Sequence, residues 1–285
     1  MTYFLLFLAV LTVTSQDIFK KKYNQKNQGG TYLFTAMISL FAMLFFIAIN
    51  RDYYYSANLL IPSAAFALSY AVANFFAVQA IRCGSLAKTC LIISFSLLIP
   101  CFYGILFLGE PISVSLIAGL CLLIVSLTLI NYEKENSKFK TPRKWYLFVF
   151  LAFVGNGMCS TVQKAKQEIY GNDGDNLFMI VALALAAVIM VILSLCSKEE
   201  RLPSRQTFKH IVFWAMLCGL ANGLTNFLVI NLNSKLPAST LFPIISSGNL
   251  VLAFLYSVLV IREKLSPRQC IGFLVGIVSI VLLNL

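Results

Sequence analysis

The sequence predicts an all-α integral membrane protein: ten transmembrane helices built as two inverted five-helix repeats. Three observations carry this. The composition is too apolar for water. The chain divides into ten charge-free stretches. Its two halves resemble each other at a nearly constant offset. Of 285 residues, 59% are hydrophobic and only 12% charged, and the mean hydropathy is +0.84. A soluble domain needs roughly 25% charged residues to cover its surface, so most of this surface must face lipid. Abundant Phe (24) and Tyr (12) with modest Gly (15) and Pro (8) exclude disordered, collagen-like and low-complexity chains.

The charge-free stretches are Met1–Gln16, Thr31–Asn50, Tyr53–Ile81, Thr89–Gly109, Pro111–Tyr132, Trp145–Gln163, Asn176–Ser197, Ile211–Ser234, Leu236–Ile261 and Gln269–Leu285. A membrane helix needs about 20 apolar residues. The first stretch is short, but its helix can run on toward Tyr23 with lysines reaching the interface. Continuous rather than alternating apolar runs indicate helices and not barrel strands. The first stretch is not a cleavable signal, because no positive residue precedes it and no small-residue cleavage site follows. The longest charged loop, EKENSKFKTPRK at 133–144, separates a repeat over 1–132 from a second over 145–285.

A shift of 153 residues superposes Glu110 on Glu263, Ser94 on Ser247, Tyr103 on Tyr256, Gly119 on Gly272 and Ser126 on Ser279. A shift of 152 aligns Asn74-Phe75 with Asn226-Phe227, and 147 aligns Thr14, Gln16 and Tyr23 with Thr161, Gln163 and Tyr170. The offset drifts one way, as small loop insertions require. An odd number of spans per repeat turns the second copy upside down, with a pseudo-two-fold axis in the membrane plane. That geometry supports two related conformations, each open to one side.

Of the 22 Lys and Arg, 18 fall on the face holding loops 1–2, 3–4, 5–6, 7–8 and 9–10, and 4 on the other. The positive-inside rule puts the richer face in the cytoplasm and both termini outside. The net charge of +11 is then an orientation signal with attraction to membrane lipid headgroups, and it calls for no nucleic acid.

No fully charged residue is expected near the middle of a span, where it would be costly. The functional candidates are uncharged polar side chains that must avoid lipid. They are Asn74 in the third span, Ser94 and Ser96 in the fourth, Asn222 and Asn226 in the eighth, and Ser246, Ser247 and Asn249 in the ninth. Interhelical packing and substrate contact are both open to them. Tyr70, Tyr103 and Tyr256 combine an aromatic wall with a hydroxyl. Gln16 and Gln163 are repeat mates, followed by the oppositely charged Asp17 and Lys164, which suit helix ends or a charged substrate group. Glu110 and Glu263 sit in matched turns, LGEPIS and IREKLS, as gating or structural turn residues. The serine after each, Ser113 or Ser266, can cap the next helix. Gly272 and Gly276 form a Gly-x-x-x-Gly, with Ser115 and Gly119 a weaker counterpart, so the fifth and tenth spans are expected to pack at the two-fold junction.

Eight cysteines without a CxxC pair, and a single histidine, His210, point to free thiols used as small hydrophobes. No metal site, cofactor or nucleotide motif is indicated, and without a nucleophile–base pair within the spans an intramembrane enzyme is not expected.

The five-plus-five duplication resembles the drug/metabolite transporter superfamily in its EamA-type branch. So does the segment SFSLLIPCFYGILFLGEPISVSLIAGL with its counterpart FPIISSGNLVLAFLYSVLVIREKLSPRQCIGFLVG, in which Leu108-Gly109-Glu110 and Arg262-Glu263-Lys264 match the family turn. Ala253 stands in the second copy where Pro100 stands in the first. The resemblance implies a central cavity formed mainly by spans 1, 3, 4, 6, 8 and 9. It implies movement of a small metabolite, amino acid or drug across a bacterial cytoplasmic membrane, and cytoplasmic termini against the outside placement from the lysine count.

The combined expectation is a secondary transporter, an exporter or facilitator, working by alternating access on a small neutral or zwitterionic substrate. A proton as coupling ion stays open. The rival expectation is a non-transporting membrane receptor or assembly protein.

Overall fold

A computed structural model of the chain describes residues 2–26, 30–50, 57–107, 114–131, 142–171, 174–196, 205–233, 238–262 and 265–282. All regular structure among them is helical. The helices are α1 (Thr2–Lys26), α2 (Thr31–Ile49), α3 (Leu60–Cys83), α4 (Leu86–Ser94), α5 (Leu98–Phe107), α6 (Val114–Asn131), α7 (Arg143–Tyr170), α8 (Asp175–Cys196), α9 (Arg205–Asn233), α10 (Ala238–Leu259) and α11 (Pro267–Leu282). Within the described residues, seven helical segments are long and apolar enough to cross a membrane, α4–α5 counting as one. Shorter apolar helices cover Val114–Ser126, Ile244–Leu259 and Pro267–Leu282.

The first helix runs on past Gln16, as expected, to Lys26, so Asp17 and Lys20 lie inside it. One sequence expectation about the helices needs amending. The fourth span is not one straight helix. A 3₁₀ turn at Phe95–Leu97 separates α4 from α5. Pro100 explains the break, since its ring has no N–H to give and clashes with the carbonyl four residues back, at Ser96.

The expected cap on the last helix is present. The Gln269 N–H donates to Ser266 Oγ at 3.3 Å, and the Ser266 N–H donates to Gln269 Oε1 at 3.0 Å. This is a reciprocal capping box, followed by Pro267 at the first helical position. Glu110, Glu263 and Ser113 lie outside the described residues.

The sequence offsets set α1 beside α7, α2 beside α8, α3 beside α9, α4–α5 beside α10, and α6 beside α11. The packing respects this exchange. α3 lies against α7 as α9 lies against α1, and α2 lies against α9 as α8 lies against α3. α1 touches α10 as α7 touches α4 and α5. The pairs α2–α8, α4–α10 and α6–α11 each join a helix to its own counterpart.

The largest buried cluster joins Phe46 of α2, Phe66 of α3, and Met179 and Leu183 of α8. Around the outside, Ile61, Val114 and Leu195 are each at least 80% exposed, as lipid-facing side chains should be. The free cysteines among the described residues include Cys90 and Cys218, both buried.

At the α6–α11 contact, Ser126 Oγ donates to the Gly272 carbonyl at 2.8 Å and Ser279 Oγ donates to the Gly119 carbonyl at 2.7 Å. A Cβ on Gly276 would stand 2.7 Å from Leu91 and 2.8 Å from Ser126 Oγ. The small residues therefore serve close helix approach, as expected from their spacing.

Candidate functional site

Between the two halves lies a cavity of about 220 Å³. Its walls come from α1, α3, α4, α7, α9 and α10, which are the first, third, fourth, sixth, eighth and ninth apolar segments. Each half contributes three of them.

On α1, Val13, Gln16, Asp17 and Lys20 line the cavity. Their spacing of three, four and seven residues puts them on one helical face. On α7, Ala152, Asn156, Cys159 and Gln163 do the same. Asn156 is framed by two glycines that bring α7 close to its neighbours. A Cβ on Gly155 would lie 2.6 Å from the Ala73 backbone nitrogen, and one on Gly157 would lie 2.7 Å from the Ser96 carbonyl oxygen. Asn156 Nδ2 donates to Ser96 Oγ at 2.7 Å.

One wall is a connected polar network. Tyr70 Oη donates to Asn222 Oδ1 at 2.7 Å, and Asn222 Nδ2 donates to Gln16 Oε1 at 2.7 Å. Gln16 Nε2 in turn donates to Thr225 Oγ1 at 2.8 Å. Asn226 Nδ2 reaches the Asn222 backbone carbonyl and Oδ1 at 3.0 and 3.1 Å. These groups satisfy one another away from water, which is what permits amides inside an apolar bundle. Asn74 is simpler, its Nδ2 donating to the Tyr70 carbonyl at 3.2 Å.

The other wall is less complete. Asp17 Oδ2 accepts from Asn249 Nδ2 at 3.2 Å and from Cys90 Sγ at 3.3 Å. Asp17 Oδ1 faces Lys20 Nζ at 3.7 Å, too far for a hydrogen bond. The two side chains are 16% and 8% exposed. Asn249 Oδ1 is buried without a hydrogen-bond partner.

Of the residues singled out from sequence, Gln16, Tyr70, Asn74, Ser94, Gln163, Asn222, Asn226, Ser246 and Asn249 line the cavity. Four others stand off it. Ser96 is buried behind the wall, holding Asn156. Tyr103 stacks on Phe107 with ring centroids 5.3 Å apart. Ser247 Oγ donates to the Ile244 carbonyl of its own helix at 3.4 Å. Tyr256 packs on the Ile81, Leu86 and Cys90 cluster. Helix rotation decides these placements, because adjacent polar residues on one helix cannot all face the same way.

The sequence reading did not single out Lys20, Asn156 or Thr225, and it left Asp17 open between a helix end and a site for a charged substrate group. The helical spacing of 13, 16, 17 and 20 along the continued α1 is the signal that places Asp17 and Lys20 on the cavity face.

The overall fold is similar to that of a solved structure described as "Crystal structure of protein". The TM-score is 0.68 and the identity 13%, over 100% of this chain and 98% of that one, a likeness that speaks for the fold alone. No curated protein matches this chain significantly. The family model described as "EamA-like transporter family" matches residues 143–285. With half its length matched by that model and its helices apolar enough to span a bilayer, this multi-pass membrane protein belongs to the EamA-like transporter family.

Proposed function

We propose that the protein is a secondary transporter of a small organic solute, working by alternating access in the cytoplasmic membrane. One observation carries the reading: a polar-lined cavity walled by three helices from each half. A cavity placed between pseudo-symmetric halves can open to one side or the other when the halves exchange conformations. The exchange of helix pairings between the two halves and the reciprocal Ser126 and Ser279 hydrogen bonds support repeats over 1–132 and 145–285 in a ten-span chain. The second repeat is then inverted, and the lysine-rich loops face the cytoplasm.

The candidate contacts for the solute are Gln16, Asn74, Ser94, Gln163, Asn222, Asn226 and Asn249, with Tyr70 as the aromatic wall. The cavity of about 220 Å³ is smaller than the roughly 300–1,000 Å³ of sites for drug-sized ligands, which favours a metabolite over a drug. Transport draws on the solute's own gradient or on a coupled ion, for which Asp17 is the carboxylate within the cavity.

The test is flux into liposomes containing the purified protein, with amino acids, nucleosides, vitamins and cationic drugs as solutes. Saturable uptake of one class, absent from empty liposomes, supports the reading. No protein-dependent flux of any solute rejects it.

A further inference from the structure

An apolar plug adjoins the cavity at one end. Ile81 near the end of α3, with Leu86 and Cys90 of α4, packs on Ala253 and Tyr256 of α10 and on Ile261 just beyond it. Ile81, Leu86, Cys90 and Ala253 are each at most 3% exposed, and Cys90 also lines the cavity. The end of α1 folds over the same turn. Asn24 Nδ2 donates to the Val78 carbonyl at 2.9 Å, and Lys21 Nζ donates to the Gly84 carbonyl at 3.4 Å. These groups all lie at the lysine-rich end of the bundle, where α1 and α3 finish and α4 begins.

The matched positions at the other end differ in kind. The offset of 152 takes Ile81 to Asn233, and 153 takes Leu86 to Ser239 and Cys90 to Pro243. In the reverse direction, 153 takes Ala253 to Pro100 and Tyr256 to Tyr103. An isoleucine and a leucine are thus answered by an amide and a hydroxyl. Closing Ile81 and Leu86 against Tyr256 removes apolar surface from water, which is favourable. Closing over Asn233 and Ser239 removes polar groups from water, which is costly unless they find partners. The tyrosines differ as well. Tyr256 packs across the bundle on the α3–α4 turn, whereas Tyr103 stacks on Phe107 of its own helix.

We propose that Ile81, Leu86 and Tyr256 form a one-sided hydrophobic gate that biases the empty protein toward the state shut at its lysine-rich end. The inference rests on the transport reading and adds a regulation of that same cavity: which mouth stands closed when no solute is bound. Two like ends would close with nearly equal free energy and be populated about alike. Apolar burial at one end alone tilts that balance. The two ends are also coupled, because closing one accompanies opening the other. Strengthening the polar end therefore loosens the apolar one, although the two lie on opposite sides of the bilayer. With the lysine-rich loops in the cytoplasm, the empty protein waits with its cavity turned outward.

The test is amide hydrogen exchange on the full-length protein in lipid nanodiscs, with no solute present. In the native protein the segment 81–90 is expected to exchange at least tenfold more slowly than its matched segment 233–243. Asn233→Ile combined with Ser239→Leu gives the other end the same apolar pair. That variant is expected to speed exchange over 81–90 at least tenfold, across a hydrocarbon core of roughly 30 Å, while 114–126 stays unchanged. Ile81→Asn combined with Leu86→Ser is expected to speed 81–90 directly, and if it fails to fold the first variant decides. Unchanged exchange over 81–90 in the Asn233→Ile and Ser239→Leu variant overturns the inference. So does faster exchange over 114–126 as well, which is general loosening, and so does a native segment 233–243 as slow as 81–90. Saturable flux by the native protein then leaves the transport reading standing, and absence of flux removes that reading too.

Discussion

Tyr70 and Asn222 are joined by a 2.7 Å hydrogen bond and are separated by 152 residues. That is the same offset that places Asn74 on Asn226. The two residues therefore stand at matched offsets in the two halves, and their bond joins α3 to α9. A two-fold arrangement calls for such self-matched contacts near its axis. The α6–α11 contact is reciprocal in the same sense, with Ser126 bonded to Gly272 and Ser279 to Gly119.

Removing the Tyr70 hydroxyl tests this junction. Tyr70→Phe keeps the ring in its buried cluster and deletes one bond, while Asn222 Oδ1 retains Asn226 as a donor. The expected loss is about 1 kcal/mol, read as a lowered Tm in detergent. In a double-mutant cycle with Asn222→Ala the two losses sum to more than the double variant shows.

The reciprocal serines give a symmetric prediction. Ser126→Ala and Ser279→Ala each delete one buried interhelical bond. Each is expected to cost about 0.6 kcal/mol, the usual worth of such a bond in a membrane protein. Equal falls in Tm for the two single variants check the equivalence of the contacts.

Asn74→Ala combined with Asn226→Ala is expected to abolish transport while leaving the fold intact. Each amide bonds mainly within its own helix, to the backbone carbonyl four residues earlier, so its loss unties no pair of helices. Flux in proteoliposomes alongside helical content and Tm separates the two effects. Unchanged flux removes both residues from the site.

Gly155→Ala is expected to lower the Tm, because the new methyl would meet the Ala73 backbone at 2.6 Å. Backbone cannot rotate aside as a side chain can, and the expected cost is about 1–3 kcal/mol. Met158→Ala, on an exposed face of the same helix, is expected to stay within about 0.5 kcal/mol of the native protein.

A reporter fused after Leu285 tests orientation. The distribution of lysine and arginine predicts an external C-terminus. A cytoplasmic reporter would mean that the termini follow the family expectation instead, and would reverse the side assigned to every loop.

The sequence alone determined the solvent and the succession of apolar segments, and it carried the matched offsets between the two halves. Each is a one-dimensional property: how many apolar residues run together, where charges interrupt them, and which residues recur at a fixed offset. Amides at positions 16, 74, 222 and 226 were legible as interior groups because lipid cannot satisfy them. Pro100 was legible as a residue apart, and its clash with the preceding turn is the break between α4 and α5. Tertiary packing alone decided which face of each helix looks inward. It turned Asn249 into the cavity and left Ser247, two residues away, bonded to its own helix. It also carried Asp17 and Lys20 past the end of a charge-free stretch and into the bundle, because a buried charge is tolerated only where partners from other helices stand beside it. Those partners, Asn249 and Cys90, lie more than seventy residues away along the chain.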